Sequence, residues 1–181
     1  MSLDDPDGEL IRRVGEGDVH AAETLVARKL PRMIALAQRL LGNRAEAEDI
    51  AQEVFLRVWK HAADWRPGAA KFDTWMHRVA VNLCTDRLRR RREVMLPDDW
   101  DAPDPGLRAD QRMEASAQSD VVGRALAALA PRQREAIVLT YYQELPNRDA
   151  AALMGIGVDA LESLLARARR ALRARMENED A

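Results

Sequence analysis

The sequence predicts an all-α protein made of two small helical domains joined by an acidic flexible linker. Three observations carry this reading. Apolar residues recur at helical spacing through both halves, and no stretch alternates with the period of a strand. Hydrophobic residues make up 47% of the 181 positions while aromatics make up only 4%, a balance suited to helices packed through aliphatic side chains. Between the halves, residues 96–112 carry Pro97, Pro103, Pro105, Gly106 and five aspartates with little periodicity, the texture of a tether. The predicted organisation is a domain over 1–95, a linker over 96–119 and a second domain over 120–181.

Each helix has a start or stop that the chain spells out. Segments 10–14 and 21–30 flank the break Gly15-Glu16-Gly17-Asp18, where Asp18 is placed to cap the second. Pro31 is expected to open a separate helix through Ile34, Leu36, Ala37, Leu40 and Leu41, stopping at Gly42-Asn43. Asn43 then caps a helix over 45–62 with Ile50, Ala51, Val54, Phe55 and Val58 as its apolar stripe. Residues 65–70, containing Pro67-Gly68, read as a loop. The last helix of this half covers 73–93, with Met76, Val79, Ala80, Leu83 and Leu88 facing inward. In the second half, 121–129 is helical, and Pro131 starts a helix running through Ile137, Leu139 and Tyr142. Helix 148–154, the turn Gly155-Ile156-Gly157 and helix 158–176 together form the pattern of a helix-turn-helix. Its second helix keeps Leu161, Leu164, Leu165, Ala168 and Leu172 on one side, and Arg167, Arg169, Arg170, Arg173 and Arg175 on the other.

The net charge of −2 conceals segregation. Residues 71–92 hold seven basic residues against two acidic, and residues 93–120 hold eight acidic against two basic. The basic stretch begins at Lys71, Phe72 and Trp75, close behind Trp65, and ends in Arg87, Arg89, Arg90, Arg91 and Arg92. Aromatic rings stack on unpaired bases and arginines neutralise phosphates, so this combination describes a surface for opened nucleic acid. On this segment alone, a core tryptophan followed by a solvated basic helix end fits as well. At least one of the three aromatics is expected in the core, with Trp75 the first choice. Arg78, Asn82 and Asp86 follow on the same helix, where they can meet base edges or bond locally. The 45–62 helix has a second face of Asp49, Gln52, Glu53, Leu56, Trp59 and Lys60. That mixture suits docking to a basic and apolar partner, or an ordinary solvated face with Trp59 tucked against a neighbour. In the helix-turn-helix, Asp159, Glu162 and Ser163 are the candidates for base contacts, and the basic residues farther along for phosphates.

Several function classes find no support. The single cysteine, Cys84, sits in an apolar stretch and is expected to be a small buried side chain. His20, His61 and His77 share no ligand spacing with it or with one another, so no metal is expected and exposed or half-buried structural roles are the default. Phosphate-binding glycine loops and a nucleophile elbow are missing, so neither an enzyme, a cofactor nor a small-molecule substrate is indicated. The N-terminal MSLDDPDGEL has no apolar run of a signal peptide, and no 18-residue apolar segment exists. A soluble cytoplasmic protein without membrane insertion is the expectation.

With those residues in hand, the chain resembles an extracytoplasmic-function (ECF, group IV) sigma factor, a compact bacterial RNA polymerase promoter-specificity subunit. AEDIAQEVFLRVWK (47–60) is similar to the family's polymerase-binding helix, and FDTWMHRVAVNLCTDRLRRRRE (72–93) to its promoter-melting segment. LAALAPRQREAIVLTYY (126–142) and the helix-turn-helix ending RARRALR (167–173) resemble its C-terminal domain. The resemblance implies that 1–95 is sigma region 2 and 120–181 sigma region 4. It implies that Asp49, Gln52, Glu53, Leu56 and Trp59 meet the two largest subunits of core polymerase. Trp65, Lys71, Phe72, Trp75, Arg78, Asn82, Asp86, Arg87, Arg89, Arg90 and Arg91 would engage the −10 element, the 65–72 loop capturing a flipped base. Arg148, Val158, Asp159, Ala160, Glu162, Ser163, Arg167 and Arg170 would engage the −35 element. Promoter DNA and a cognate anti-sigma factor are the further implied partners. The chain departs from the family where many members read Ser-x-x-Glu-Ile-Ala, here Asn147-Arg148-Asp149-Ala150-Ala151. It departs again where many read Gly-Thr-Val-Lys-Ser-Arg, here Asp159-Ala160-Leu161-Glu162-Ser163-Leu164, so an altered or weaker −35 specificity is expected. The rival reading is a stand-alone helix-turn-helix repressor, which needs a dimer surface that no heptad supplies.

Overall fold

The computed structural model describes residues 5–66, 71–95 and 117–179; all regular structure among them is helical. The elements are α1 (Gly8–Gly15), α2 (Val19–Leu41), α3 (Arg44–His61), a 3₁₀ turn (Ala62–Asp64) and α4 (Phe72–Met95). After them come α5 (Ala117–Ala127), α6 (Pro131–Ile137) continuing as a π-helical turn (Val138–Tyr142), α7 (Asn147–Met154) and α8 (Val158–Glu179). They fall into two compact units, Met1–Gln38 with Arg44–Asp86, and Arg39–Asn43 with Arg87–Ala181. Residues 67–70 of the expected loop and 96–116 of the expected linker lie outside the described residues.

In the first unit the apolar stripes meet as the spacing requires. Ile11 of α1, Leu25, Met33 and Leu36 of α2, Ile50, Val54 and Val58 of α3, and Phe72, Met76, Ala80 and Cys84 of α4 are all buried. Each of the larger side chains contributes about 1.5–3 kcal/mol by leaving water. Asp18 caps α2 as expected, its Oδ1 accepting from Ala21 N–H at 3.1 Å. Pro31 does not open a helix; it lies inside α2. The ring removes one intrahelical hydrogen bond, but Pro31 and Ala27, whose carbonyl loses that partner, are both exposed and open to water. Burial of Leu25, Met33 and Leu36 on the other face carries the helix through. His77 differs too: it is fully buried rather than half-buried, with Nδ1 2.7 Å from the Asp73 carbonyl oxygen.

Two contacts close this unit. At the end of α1, Gly15 lies against the 3₁₀ turn so tightly that a Cβ would come within 2.6 Å of the Ala62 carbonyl oxygen and 2.8 Å of Ala63 Cα. The second is an ion-pair relay: Lys29 Nζ of α2 reaches Asp7 Oδ2 at 2.6 Å and Asp73 Oδ1 at 2.8 Å. Burial opposes ionisation of Asp73. The Lys29 hydrogen bond and the charges of His77, Lys29 and Arg32 outweigh it, holding the carboxyl below the usual aspartate range.

The second unit packs α6, α7 and α8 through Ala136, Ile137, Val138, Leu139, Ala150, Ala151, Leu153, Leu161, Leu165 and Ala168. Arg134 is buried here; it donates to the Leu126 carbonyl at 2.8 Å, to Ala127 at 2.7 Å and to Leu129 at 3.3 Å, closing the end of α5. Pro131 begins α6 as expected, and its continuation widens where Gln143 N–H bonds the Val138 carbonyl five residues back. Gly155 takes φ +66 and ends α7, and Ile156 N–H returns to the Ala151 carbonyl at 3.0 Å.

Gly15→Ala is expected to cost about 1–3 kcal/mol because the obstruction is backbone. Gly123→Ala, which meets nothing within 4 Å in α5, should instead stabilise by about 0.5–1 kcal/mol; denaturant titration of the two variants separates the cases. The depressed Asp73 carboxyl adds stability that is complete above the usual aspartate range and lost as pH falls through the lower folded value. Asp73→Asn should therefore cost roughly 2 kcal/mol at neutral pH and show a shallower acid loss of melting temperature than the parent.

Candidate nucleic-acid interface

The 3₁₀ turn and the first turn of α4 bring together the aromatics that the sequence separates. Phe72 stacks on Trp75 with centroids 5.8 Å apart and planes at 25°, and Trp65 presents an edge to Phe72 at 5.3 Å. Trp65 and Trp75 lie 5.8 Å apart, and His61 meets Trp75 edge-on at 6.0 Å. The core member is Phe72, 1% exposed, and not Trp75 as expected. Helical geometry explains the exchange. Phe72 shares the inward face with Met76, four residues on, whereas Trp75 is rotated to the edge and half-buried. Phe72 therefore acts beneath the surface as the bed on which the two indoles rest.

The result is an open cleft of about 180 Å³ lined by His61, Asp64, Trp65, Arg66 and Trp75. Two indole rings, a guanidinium and a carboxylate around a shallow opening can stack on a flat heteroaromatic ring and hydrogen-bond its edge. Sequence reasoning missed His61, Asp64 and Arg66, because only the 3₁₀ turn folds them back toward α4. The indole Nε1 of Trp65 is buried without a hydrogen-bond partner among the described residues.

Beyond the cleft, Lys71, Arg78, Asn82, Asp86, Arg89 and Arg90 are exposed, and Arg87 is partly so. Arg91 differs from its neighbours: it is half-buried, with Nη1 donating to the Leu41 carbonyl at 3.1 Å. Its withdrawal from water favours the uncharged form. On α3, Asp49 and Gln52 are exposed and Glu53 partly so, its carboxylate 3.2 Å from Arg57. Leu56 is 61% and Trp59 38% exposed, an apolar pair on the surface of the first unit. Trp59 also touches Phe55, with ring centroids 5.7 Å apart.

In the second unit Arg148 of α7 and Val158, Asp159, Ala160, Glu162, Ser163, Arg167 and Arg170 of α8 are exposed. Leu161, Leu165 and Ala168 are buried behind them, so the outer face of the second helix of the helix-turn-helix is open. Ser163 Oγ donates to the Asp159 carbonyl at 3.0 Å, leaving Glu162 as the longest acceptor near the start of that face. Among the described residues no three His, Cys, Asp or Glu side chains gather as a metal site, and no helix is long and apolar enough to cross a membrane.

The family profile described as Sigma-70 region 2 matches residues 25–94, and that described as Sigma-70, region 4 matches residues 119–172. The ECF RNA polymerase sigma factor SigW of Bacillus subtilis is 30% identical over 179 residues, covering 93% of this chain and 95% of that protein. The chain belongs to the ECF sigma factor family. SigE of Mycolicibacterium smegmatis is 35% identical over 160 residues, and the match spans 83% of this chain but 60% of that longer protein. Among solved structures, CnrH in complex with the cytosolic domain of CnrY is similar with a TM-score of 0.68 at 27% identity, covering 95% of this chain and 97% of that one. The sigma factor RpoE of Bartonella quintana, in complex with the anti-sigma factor NepR, gives 0.66 at 26% identity over 86% and 96% of the two chains.

Phe72→Ala is expected to lower stability by about 3–5 kcal/mol and to change the emission of the indoles resting on it. Trp75→Ala, truncating a half-exposed ring, should cost clearly less; urea titration followed by fluorescence and circular dichroism distinguishes them.

Proposed function

We propose that this ECF sigma factor binds core RNA polymerase, opens promoter DNA at the −10 element and reads the −35 element through α8. The observation that carries the reading is the open Trp65–Trp75 cleft, followed along α4 by exposed Arg78, Asn82, Arg89 and Arg90. A base flipped from the stack loses a few kcal/mol, and stacking on an indole returns about 1–3 kcal/mol per base. Arginines farther along α4 supply phosphate contacts, so opening needs no nucleotide hydrolysis. The region 2 domain is taken as 1–95 and the region 4 domain as 120–181, with 96–119 between them.

Core polymerase would be met by Asp49, Gln52, Glu53, Leu56 and Trp59 of α3. The support is an apolar pair left in water beside carboxylates, the composition of a docking face for a basic and apolar surface. At −35, Val158, Asp159, Glu162 and Ser163 would face base edges, and Arg148, Arg167 and Arg170 the phosphates. Glu162 accepts hydrogen bonds and donates none, which favours cytosine N4 over guanine and distinguishes this surface from a lysine-bearing helix. An anti-sigma factor is the expected regulatory partner, since RpoE was solved with the anti-sigma factor NepR bound and CnrH with the cytosolic domain of CnrY. A stand-alone repressor would leave the region 2 match and the aromatic cleft unused.

Single-round transcription by purified core polymerase on a genomic fragment library, with and without the protein, tests the reading. Discrete protein-dependent transcripts are expected, and their upstream sequences give the two promoter elements; none would overturn it. On those promoters, Trp75→Ala should reduce initiation roughly tenfold through lost base stacking, whereas Leu56→Asp should abolish it by preventing core binding, measured separately by fluorescence anisotropy.

A further inference from the structure

The first turn of α4 has a defect that a distant residue repairs. Lys71 occupies the N-cap position, its carbonyl accepting the first helical bond from Trp75 N–H at 3.1 Å. A lysine side chain only donates, so it cannot satisfy the free N–H groups that open a helix. Asp5 does so instead, across 67 positions of sequence: its Oδ2 accepts from Phe72 N–H at 2.7 Å. The same carboxylate is fixed by its own turn, where Oδ1 accepts from Asp7 N–H at 3.1 Å and the Asp5 carbonyl accepts from Gly8 N–H at 2.8 Å. Two residues on, Asp7 holds Lys29, which holds Asp73, the second residue of α4. The start of α1 is thus tied twice to the turn carrying Phe72 and Trp75.

Asp5 and Asp7 lie outside the family match, which begins at residue 25. We infer that Asp5 is a positioning residue for the base-stacking cleft: by capping α4 in trans it sets the pitch of the turn on which Phe72 and Trp75 stand. The inference rests on the proposed role of that cleft in capturing a −10 base. Its charge also suits the positive end of the helix, so a carboxylate is the strongest available cap. Loss of the cap frees the first turn to fray, and fraying moves the indole that a flipped base must stack on.

The test uses core polymerase loaded with the full chain and single-stranded −10 oligonucleotides from its own promoters, intact or abasic at the captured position. The ratio of the two affinities is independent of the fraction of protein that is folded. The parent is expected to prefer the intact strand about tenfold, Asp5→Ala to lower that preference about fivefold, and Asp5→Asn, which keeps an acceptor, to stay within about twofold of the parent. Affinity for core polymerase should be the same in all three. An Asp5→Ala preference equal to the parent's would overturn the positioning role while leaving the cleft intact. Lack of preference in the parent at every −10 position would instead remove the base-capture reading beneath it.

Discussion

Lys29 is the residue on which the first unit turns. Its ammonium is largely withdrawn from water, a position that desolvation alone would make unfavourable. The hydrogen bonds it donates to Asp7 and Asp73 more than offset that burial, so the lysine holds its proton more firmly than usual. Because the two carboxylates come from the start of α1 and the first turn of α4, one cation of α2 fixes the relative positions of three helix segments. Removing Lys29 leaves two largely withdrawn carboxylates without their shared cation, which is far costlier than losing a surface ion pair.

From this tie the geometry of the aromatic cleft follows in steps. α4 begins where Asp73 is held, Phe72 turns inward one position before it, and Trp75 emerges one turn later at the margin. Gly15 permits the 3₁₀ turn to approach α1 at backbone distance, which carries His61, Trp65 and Arg66 to the same margin. The chemistry of the cleft is aromatic, but its placement is electrostatic and steric. In the second unit the logic is different: a left-handed Gly155 turns the chain between two helices whose contact is aliphatic, and the polar face of α8 is left over by default.

What was legible in the sequence was periodic or local. The stripes of α3 and α8, the Asp18 cap, the Gly155 turn and the exposed Leu56–Trp59 pair follow from spacing that neighbouring residues share. Family motifs added order and function to those elements. What escaped was either long-range or a matter of degree. Pro31 signals a helix start, and only the tertiary burial of Leu25, Met33 and Leu36 overrides it. Trp75 is larger than Phe72 and so looks the better core residue, yet the helical phase set by Met76 decides otherwise. Arg91 reads as one of five equivalent arginines until its reach to the Leu41 carbonyl singles it out. The pairing of Asp5 with Phe72 N–H has no sequence signature, because any acceptor at the right point in space would serve.

Arg134 carries the same lesson into the evolution of the second unit. At the end of α5 its guanidinium addresses the carbonyls of residues 126, 127 and 129, atoms that every amino acid possesses. The three positions can drift among side chains of suitable volume without disturbing the acceptors, whereas lysine, with one compact ammonium, cannot reproduce the planar fork. A contact of this kind constrains one partner chemically and leaves the others chemically anonymous. It would therefore leave no covarying pair for a comparison of sequences to detect, however strongly the unit depends on it.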